Sequence, residues 1–145
     1  MLKTVEIYTD GACSGNPGKG GWCAILMYGG REKVLSGGEA ETTNNRMEVY
    51  AAIAGLNALK EKCKVALYSD SAYLVNAIEQ HWLEGWKRND FRTADKKPVK
   101  NKDLWLELSA LLDKHDVTFI KVKGHADNEN NNRCDKYARA EISKL

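Results

Sequence analysis

The sequence predicts an α/β fold built on a mixed five-stranded sheet with helices on its faces, and three observations carry that expectation. Three β-prone stretches follow one another with only short glycine-bearing turns between them, the pattern of an antiparallel meander. A long helical stretch then separates them from a fourth β-prone run, as a parallel crossover requires. That fourth run repeats the local pattern of the first: Tyr8-Thr9-Asp10-Gly11 is echoed by Tyr68-Ser69-Asp70-Ser71.

Residues 4–13 read as the first strand, because Val5, Ile7 and Thr9 alternate with Glu6, Tyr8 and Asp10 at the two-residue period of β structure. A glycine-dense stretch from Gly11 to Gly21 follows, with Asn16-Pro17-Gly18 as a turn signal. Residues 21–28 form the second strand, Gly29-Gly30 a hairpin turn, and 31–42 a more polar third strand suited to a sheet edge. Residues 44–60 read as a helix rich in Ala, Leu and Met, with capping oxygens available from Thr42, Thr43, Asn44 and Asn45. Ala52, Leu56 and Leu59 mark its apolar stripe, and Glu48 falls on the same stripe. A carboxylate in a core-facing row calls for a reason.

The fourth strand, 65–70, follows that crossover helix and pairs most simply with the first, which places Asp70 beside Asp10. Helices are expected over 72–80, 82–88 and 101–112, a fifth strand over 116–122, a polar loop over 124–130, and a final helix over 131–144.

A length of 145 residues suits one domain with a sizeable buried core. No apolar run is long enough to span a bilayer, and the N-terminus enters a strand without a signal-peptide pattern, so a cytoplasmic protein is expected. Cys13, Cys23, Cys63 and Cys134 lack metal-ligand spacing and read as free thiols. Net charge is only +2, yet residues 87–102 alone carry +5, leaving −3 elsewhere. Basic charge gathered in one place points to a polyanionic partner.

In an open α/β sheet the ligand crevice lies outside the carboxyl ends of the parallel strands. Asp10 and Asp70 belong there, and Glu48 lies in the early turns of the helix packed nearby. Asp135, early in its own helix, is a fourth candidate, although a carboxylate near a helix N-terminus is favoured by the macrodipole in any protein. Neighbouring carboxylates stay ionised only with a cation between them. No Lys or Arg adjoins Asp10 or Asp70 in sequence, so a divalent ion is the economical choice. An all-oxygen set suits Mg²⁺ or Mn²⁺, and two such ions about 4 Å apart would serve phosphodiester hydrolysis.

Several separate stretches, in one order along essentially the whole chain, resemble bacterial ribonuclease H of type 1. They are Tyr8–Gly18, Thr42-Thr43-Asn44-Asn45-Arg46-Met47-Glu48, Ser69-Asp70-Ser71, 93–99 and Val122-Lys123-Gly124-His125-Ala126. The resemblance implies a five-stranded sheet with strands 1–3 antiparallel, strands 4 and 5 parallel to strand 1, and helices on both faces. It implies a single catalytic domain, active as a monomer without an obligate protein partner. The implied activity is Mg²⁺-dependent endonucleolytic cleavage of the RNA strand of an RNA/DNA hybrid, with Mn²⁺ as substitute and Asp10, Glu48, Asp70 and Asp135 as ligands.

His125, in a glycine-flanked loop, matches the family's acid/base or product-release residue, while His81 and His115 read as solvated. By the same resemblance Asn16, Asn44 and Asn45 face the hybrid's minor groove, and Thr43 and Asn101 form a pocket for a DNA-strand phosphate. The basic stretch with Trp82, Trp86, Lys87, Arg88, Phe91, Lys96 and Lys97 matches the family's substrate-binding protrusion. Three positions depart from the pattern: Ala72 where Gln is frequent, Phe91 where Trp is common, and Asp127 where Gly is usual. Two rival readings stand beside this one, a hybrid-binding module without catalysis and another nuclease or integrase on the same sheet.

Overall fold

The computed structural model describes residues 2–93, 95–123 and 128–145. Three strands open the chain, β1 (Lys3–Gly15), β2 (Gly18–Tyr28) and β3 (Arg31–Thr42), followed by α1 (Asn44–Asn57) and β4 (Cys63–Ser69). Then come α2 (Ala72–Glu79), α3 (Trp82–Arg88), α4 (Lys102–Lys114), β5 (Asp116–Lys121) and α5 (Glu129–Ser143). The strands form one sheet in the order β3-β2-β1-β4-β5. β1, β2 and β3 pair antiparallel, while β4 is parallel to β1 and β5 parallel to β4. The expected topology is therefore the observed one, with β3 at one edge.

β1 lies at the centre and is covered on both faces. Ile7 joins the larger core with Ala24, Ile53, Leu56, Leu67, Leu74 and Trp105. Tyr8 belongs to a smaller core under α5, with Cys23, Ile25, Cys134 and Ala138. The alternation in β1 thus separates two buried faces rather than core from solvent, which is why Tyr8, Thr9 and Asp10 are all buried.

The glycine-dense stretch differs from its sequence reading. β1 runs on to Gly15 and β2 begins at Gly18, so most of these glycines lie in paired strands. The turn itself is confined to Asn16-Pro17, which Gly15 enters with φ 91°, and the other glycines allow close approach instead of bending the chain. A Cβ on Gly11 would stand 2.5 Å from the backbone of Met47 and Glu48, and one on Gly21 would collide with the Ala138 carbonyl. The missing side chains let α1 and α5 come hard against the central strands.

α1 begins where Thr43, in extended conformation, accepts a hydrogen bond from the Arg46 N–H at 3.2 Å. It ends at Asn57, earlier than its composition suggests, and buries Met47, Glu48, Val49, Ala51, Ala52, Ile53 and Leu56. That is more than one stripe, because α1 packs between the sheet and α4. His115 corrects the solvated reading: it is only 4% exposed and accepts the Cys63 N–H on Nδ1 at 3.1 Å. Its position between α4 and β5 puts it under the sheet's end, and burial pushes its pKa down, with Lys114 and Lys62 adding to the effect. His81 is exposed. All four cysteines are free thiols, and among the described residues no helix is long and apolar enough to cross a membrane.

Candidate metal centre and nucleic-acid interface

The β1–β4 register places residue 63 opposite residue 3 and ends with Tyr8 opposite Tyr68. Two residues beyond that last pair stand Asp10 and Asp70. From here β1 continues into β2 on one side and β4 turns into α2 on the other, so the carboxyl ends of the parallel pair open at a topological switch point. The flanking serines hold the turn after β4: Ser69 Oγ accepts the Ser71 N–H at 3.0 Å, and Ser71 Oγ caps α2 through the Leu74 N–H at 3.1 Å. Asp70 needs no part in the turn, and its carboxylate stays available.

Asp10, Glu48 and Asp70 each offer one oxygen within 4.8 Å of the others. Asp10 is 2% and Glu48 5% exposed. Asp10 Oδ1 accepts the Gly11 N–H at 3.0 Å, whereas Asp10 Oδ2 and Glu48 Oε2 are buried without a hydrogen-bond partner among the described residues. Burial, the Asp70 charge and the nearby Asp135 carboxyl together push the Asp10 pKa up to about 9. Glu48 is raised for the same reasons, burial first and then the charges of Asp10 and Asp70. Buried anionic oxygens facing one another without a cation are costly, and a hard divalent ion resolves that cost with oxygen ligands alone. The residues present therefore fit such an ion.

Asp135 approaches from α5 and contributes to the raised Asp10 pKa, but it stands outside the group of three whose oxygens lie within 4.8 Å of one another. Because α5 begins at Glu129, Asp135 lies in its second turn, past the reach of the macrodipole. Its Oδ2 also receives Arg139 Nη2 at 2.7 Å. A cavity of about 500 Å³ lined by Asn132, Asp135, Lys136 and Arg139 opens beside it. A larger one, about 640 Å³, lies on the sheet around Glu6, Met27 and Tyr68, away from the strands' carboxyl ends. The partnerless oxygens, not cavity size, mark the chemistry.

Around this centre Asn16 Oδ1 accepts the Asn44 N–H at 3.2 Å, which leaves the amide nitrogen of Asn16 exposed beside Asn44 and Asn45. Thr43 and Asn101 are joined through one residue that the sequence did not single out, Arg46. Its N–H goes to Thr43 Oγ1 and its Nη1 to Asn101 Oδ1 at 3.1 Å, while Asp103 holds the guanidinium at 3.0 and 2.8 Å. Only its place between Asn45 and the buried Met47 hinted at Arg46, since a half-buried arginine needs partners.

The basic stretch is a projection on an apolar root. Phe91, Val99 and Leu83 are buried in the main core, and Trp86 packs on Trp105 with ring centroids 5.3 Å apart. Trp82, Lys87, Arg88, Lys96 and Lys97 are exposed, with Lys87 Nζ 3.8 Å from Asp113. Ala72 is exposed at the start of α2. His125 and Asp127 lie outside the described residues.

The RNase H family model matches residues 2–143. The chain is 63% identical to the ribonuclease H of Chlorobaculum parvum over 144 residues, covering 99% of both chains. It superimposes on LC9-RNase H1, described as a type 1 RNase H with the type 2 active-site motif, with a TM-score of 0.86 at 24% identity, covering 99% of this chain and 74% of that one. It also superimposes on LC11-RNase H1 in complex with an RNA/DNA hybrid, with a TM-score of 0.72 at 23% identity over 97% of each chain. With the sheet order, the carboxylate cluster and the full-length match in agreement, the chain belongs to the RNase H family.

Proposed function

We propose that this chain hydrolyses the RNA strand of RNA/DNA hybrids, with Asp10, Glu48, Asp70 and Asp135 holding Mg²⁺, or Mn²⁺ in its place. The reading takes residues 1–145 as a single catalytic domain, working as a cytoplasmic monomer. The observation that carries it is the carboxylate cluster with two buried, partnerless oxygens at the open end of the parallel strands.

When bound, the ion supplies a Lewis acid that activates water and offsets charge developing on the phosphate. Asp10 and Glu48 would hold the ion from the buried side, where its charge would offset the burial and mutual repulsion that raise both carboxyls. Asp70 and Asp135 complete the set from the less buried sides. Asn16, Asn44 and Asn45 offer amides to 2′-hydroxyls and base edges of the minor groove. Thr43, whose oxygen is engaged by the Arg46 N–H, keeps its hydroxyl proton for a DNA-strand phosphate, and Asn101 adds an amide hydrogen. Trp82, Trp86, Lys87, Arg88, Lys96 and Lys97 hold the backbone of the hybrid, and His125 serves as an acid/base or in product release.

The test is cleavage of a labelled hybrid, duplex DNA and each single strand, with and without Mg²⁺, by the wild type and Asp10→Asn. The expected result is RNA cleavage in the hybrid alone, dependent on the ion and abolished by Asp10→Asn. Tight hybrid binding with no cleavage under any divalent ion would overturn the reading.

A further inference from the structure

Both ends of the Asn101 amide are engaged. Oδ1 accepts from Arg46 Nη1 and Nδ2 donates to Tyr73 Oη, each at 3.1 Å. Tyr73 Oη accepts a second bond, from Trp105 Nε1, also at 3.1 Å. Trp105 is fully buried, and its ring packs on Tyr73 with centroids 5.4 Å apart.

An asparagine just before a helix ordinarily turns its side-chain oxygen onto the first backbone N–H groups. Asn101 occupies that position before α4, with φ 60°, yet makes no such bond. The Leu104 and Trp105 N–H groups go instead to the Asn101 backbone carbonyl, both at 3.0 Å. The side chain is thereby released for another task.

Its orientation follows from donor and acceptor chemistry. Guanidinium and indole groups only donate. Arg46 therefore requires the amide oxygen, and Trp105 requires a lone pair of Tyr73. A flipped amide would set Nδ2 against the Arg46 donors. In the observed arrangement both lone pairs of Tyr73 are taken, and one Nδ2 hydrogen of Asn101 has no partner among the described residues. That hydrogen is fixed in direction before any ligand arrives.

We propose that Tyr73 is a positioning residue for hybrid binding: its hydroxyl, anchored on buried Trp105, holds the Asn101 amide so that the spare Nδ2 hydrogen meets a phosphate of the DNA strand. The inference rests on the assignment of Asn101 to that phosphate under the proposed function. Without the Tyr73 oxygen the amide is held at the Arg46 end alone, and ordering it is charged to binding. Arg46 is braced in turn by Asp103, so the two anchors of Asn101 come from α1 and α2 while Asn101 itself opens α4.

The test is a double-mutant cycle on hybrid cleavage with Tyr73→Phe, Asn101→Ala and the pair together. Tyr73→Phe keeps the ring and deletes the oxygen, and thermal unfolding identifies a temperature at which every variant stays folded. Tyr73→Phe is expected to raise KM about three- to tenfold with kcat unchanged, the scale of one weakened hydrogen bond. In the Asn101→Ala background the same change should leave KM where it is, because the group that Tyr73 orients has gone. A purely structural role would shift KM equally in both backgrounds, and that result overturns the proposal. So does an unaltered KM in Tyr73→Phe when Asn101→Ala raises it. If Asn101→Ala itself leaves KM unchanged while the wild type cleaves hybrid, the phosphate assignment fails and this inference with it, but the catalytic reading stands.

Discussion

Tyr8 and Tyr68 stack with ring centroids 4.6 Å apart and planes within 10° of parallel, on the last hydrogen-bonded pair of β1 and β4. Both hydroxyls meet Glu6 Oε2, at 3.4 and 3.2 Å. Each aspartate of the strand-end pair follows its tyrosine by two residues. The stack, with the bond from Thr9 Oγ1 to the Tyr68 carbonyl at 3.3 Å, thus ties the strands together just before they part around Asp10 and Asp70.

Replacing Tyr68 with Leu keeps apolar cover but removes the stack, so it should cost about 0.5–1.5 kcal/mol beyond the loss of area. Urea unfolding measures this directly. Calorimetric titration with Mg²⁺ should show weaker binding in the same variant. Unchanged affinity would mean that backbone pairing alone sets the spacing of the aspartates.

The carboxylate cluster makes a pH prediction for the metal-free protein. Asp10 titrates near 9 in the folded state against an ordinary 3.8, so the folded chain binds the extra proton between those values. Stability from this source is full below about pH 4 and is lost as pH rises toward about 9. Asp10→Asn should flatten that decline and raise metal-free stability at neutral pH, read from chemical denaturation across pH. Mg²⁺ should restore wild-type stability at the alkaline end while doing little for Asp10→Asn.

His115 acts with the opposite sign. Its folded pKa lies below the ordinary 6.5, so the unfolded chain takes up a proton that the folded chain refuses. Stability from this source is present above about pH 6.5 and is lost as pH falls below it. His115→Asn offers a side-chain oxygen to the Cys63 N–H and does not titrate. It should unfold with less pH dependence between about 5 and 7.

Neutralising Lys87, Arg88, Lys96 and Lys97 together should raise KM for hybrid with little change in kcat. None of the four lies in the carboxylate cluster. Each phosphate left without its cationic side chain should reduce the logarithmic salt slope by roughly 0.9, by analogy with duplex DNA. Cleavage measured over a salt series checks both quantities. An unaltered slope would make these residues ordinary solvated charge.

The site was legible in sequence where chemistry contradicts local preference. Glu48 on an apolar helical stripe and the repeated Tyr-hydroxyl-Asp pattern both signalled a cluster, and the register brings those residues together. The glycine-rich stretch was misleading because glycine marks a turn and a close helix approach with the same letter, and only the neighbour across the gap separates the two. His115 was hidden for a related reason: whether an imidazole is solvated depends on the strand it meets, and Cys63 is 52 residues away in sequence. The Asn101–Tyr73–Trp105 arrangement combines segments with no shared periodicity, so no pattern in either announces it.

The close approach at Gly11 alters how mutational data on this chain should be interpreted. The Gly11 Cα has room for a hydrogen and nothing larger, since the backbone of Met47 and Glu48 occupies the space a methyl would need. Alanine there would require the strand or α1 to shift at the residue that carries Glu48, although every carboxylate is still encoded. A screen scored on activity alone would place position 11 among the reacting groups. Scored beside metal binding and folding, it separates from them, as a residue whose contribution is the atom it lacks.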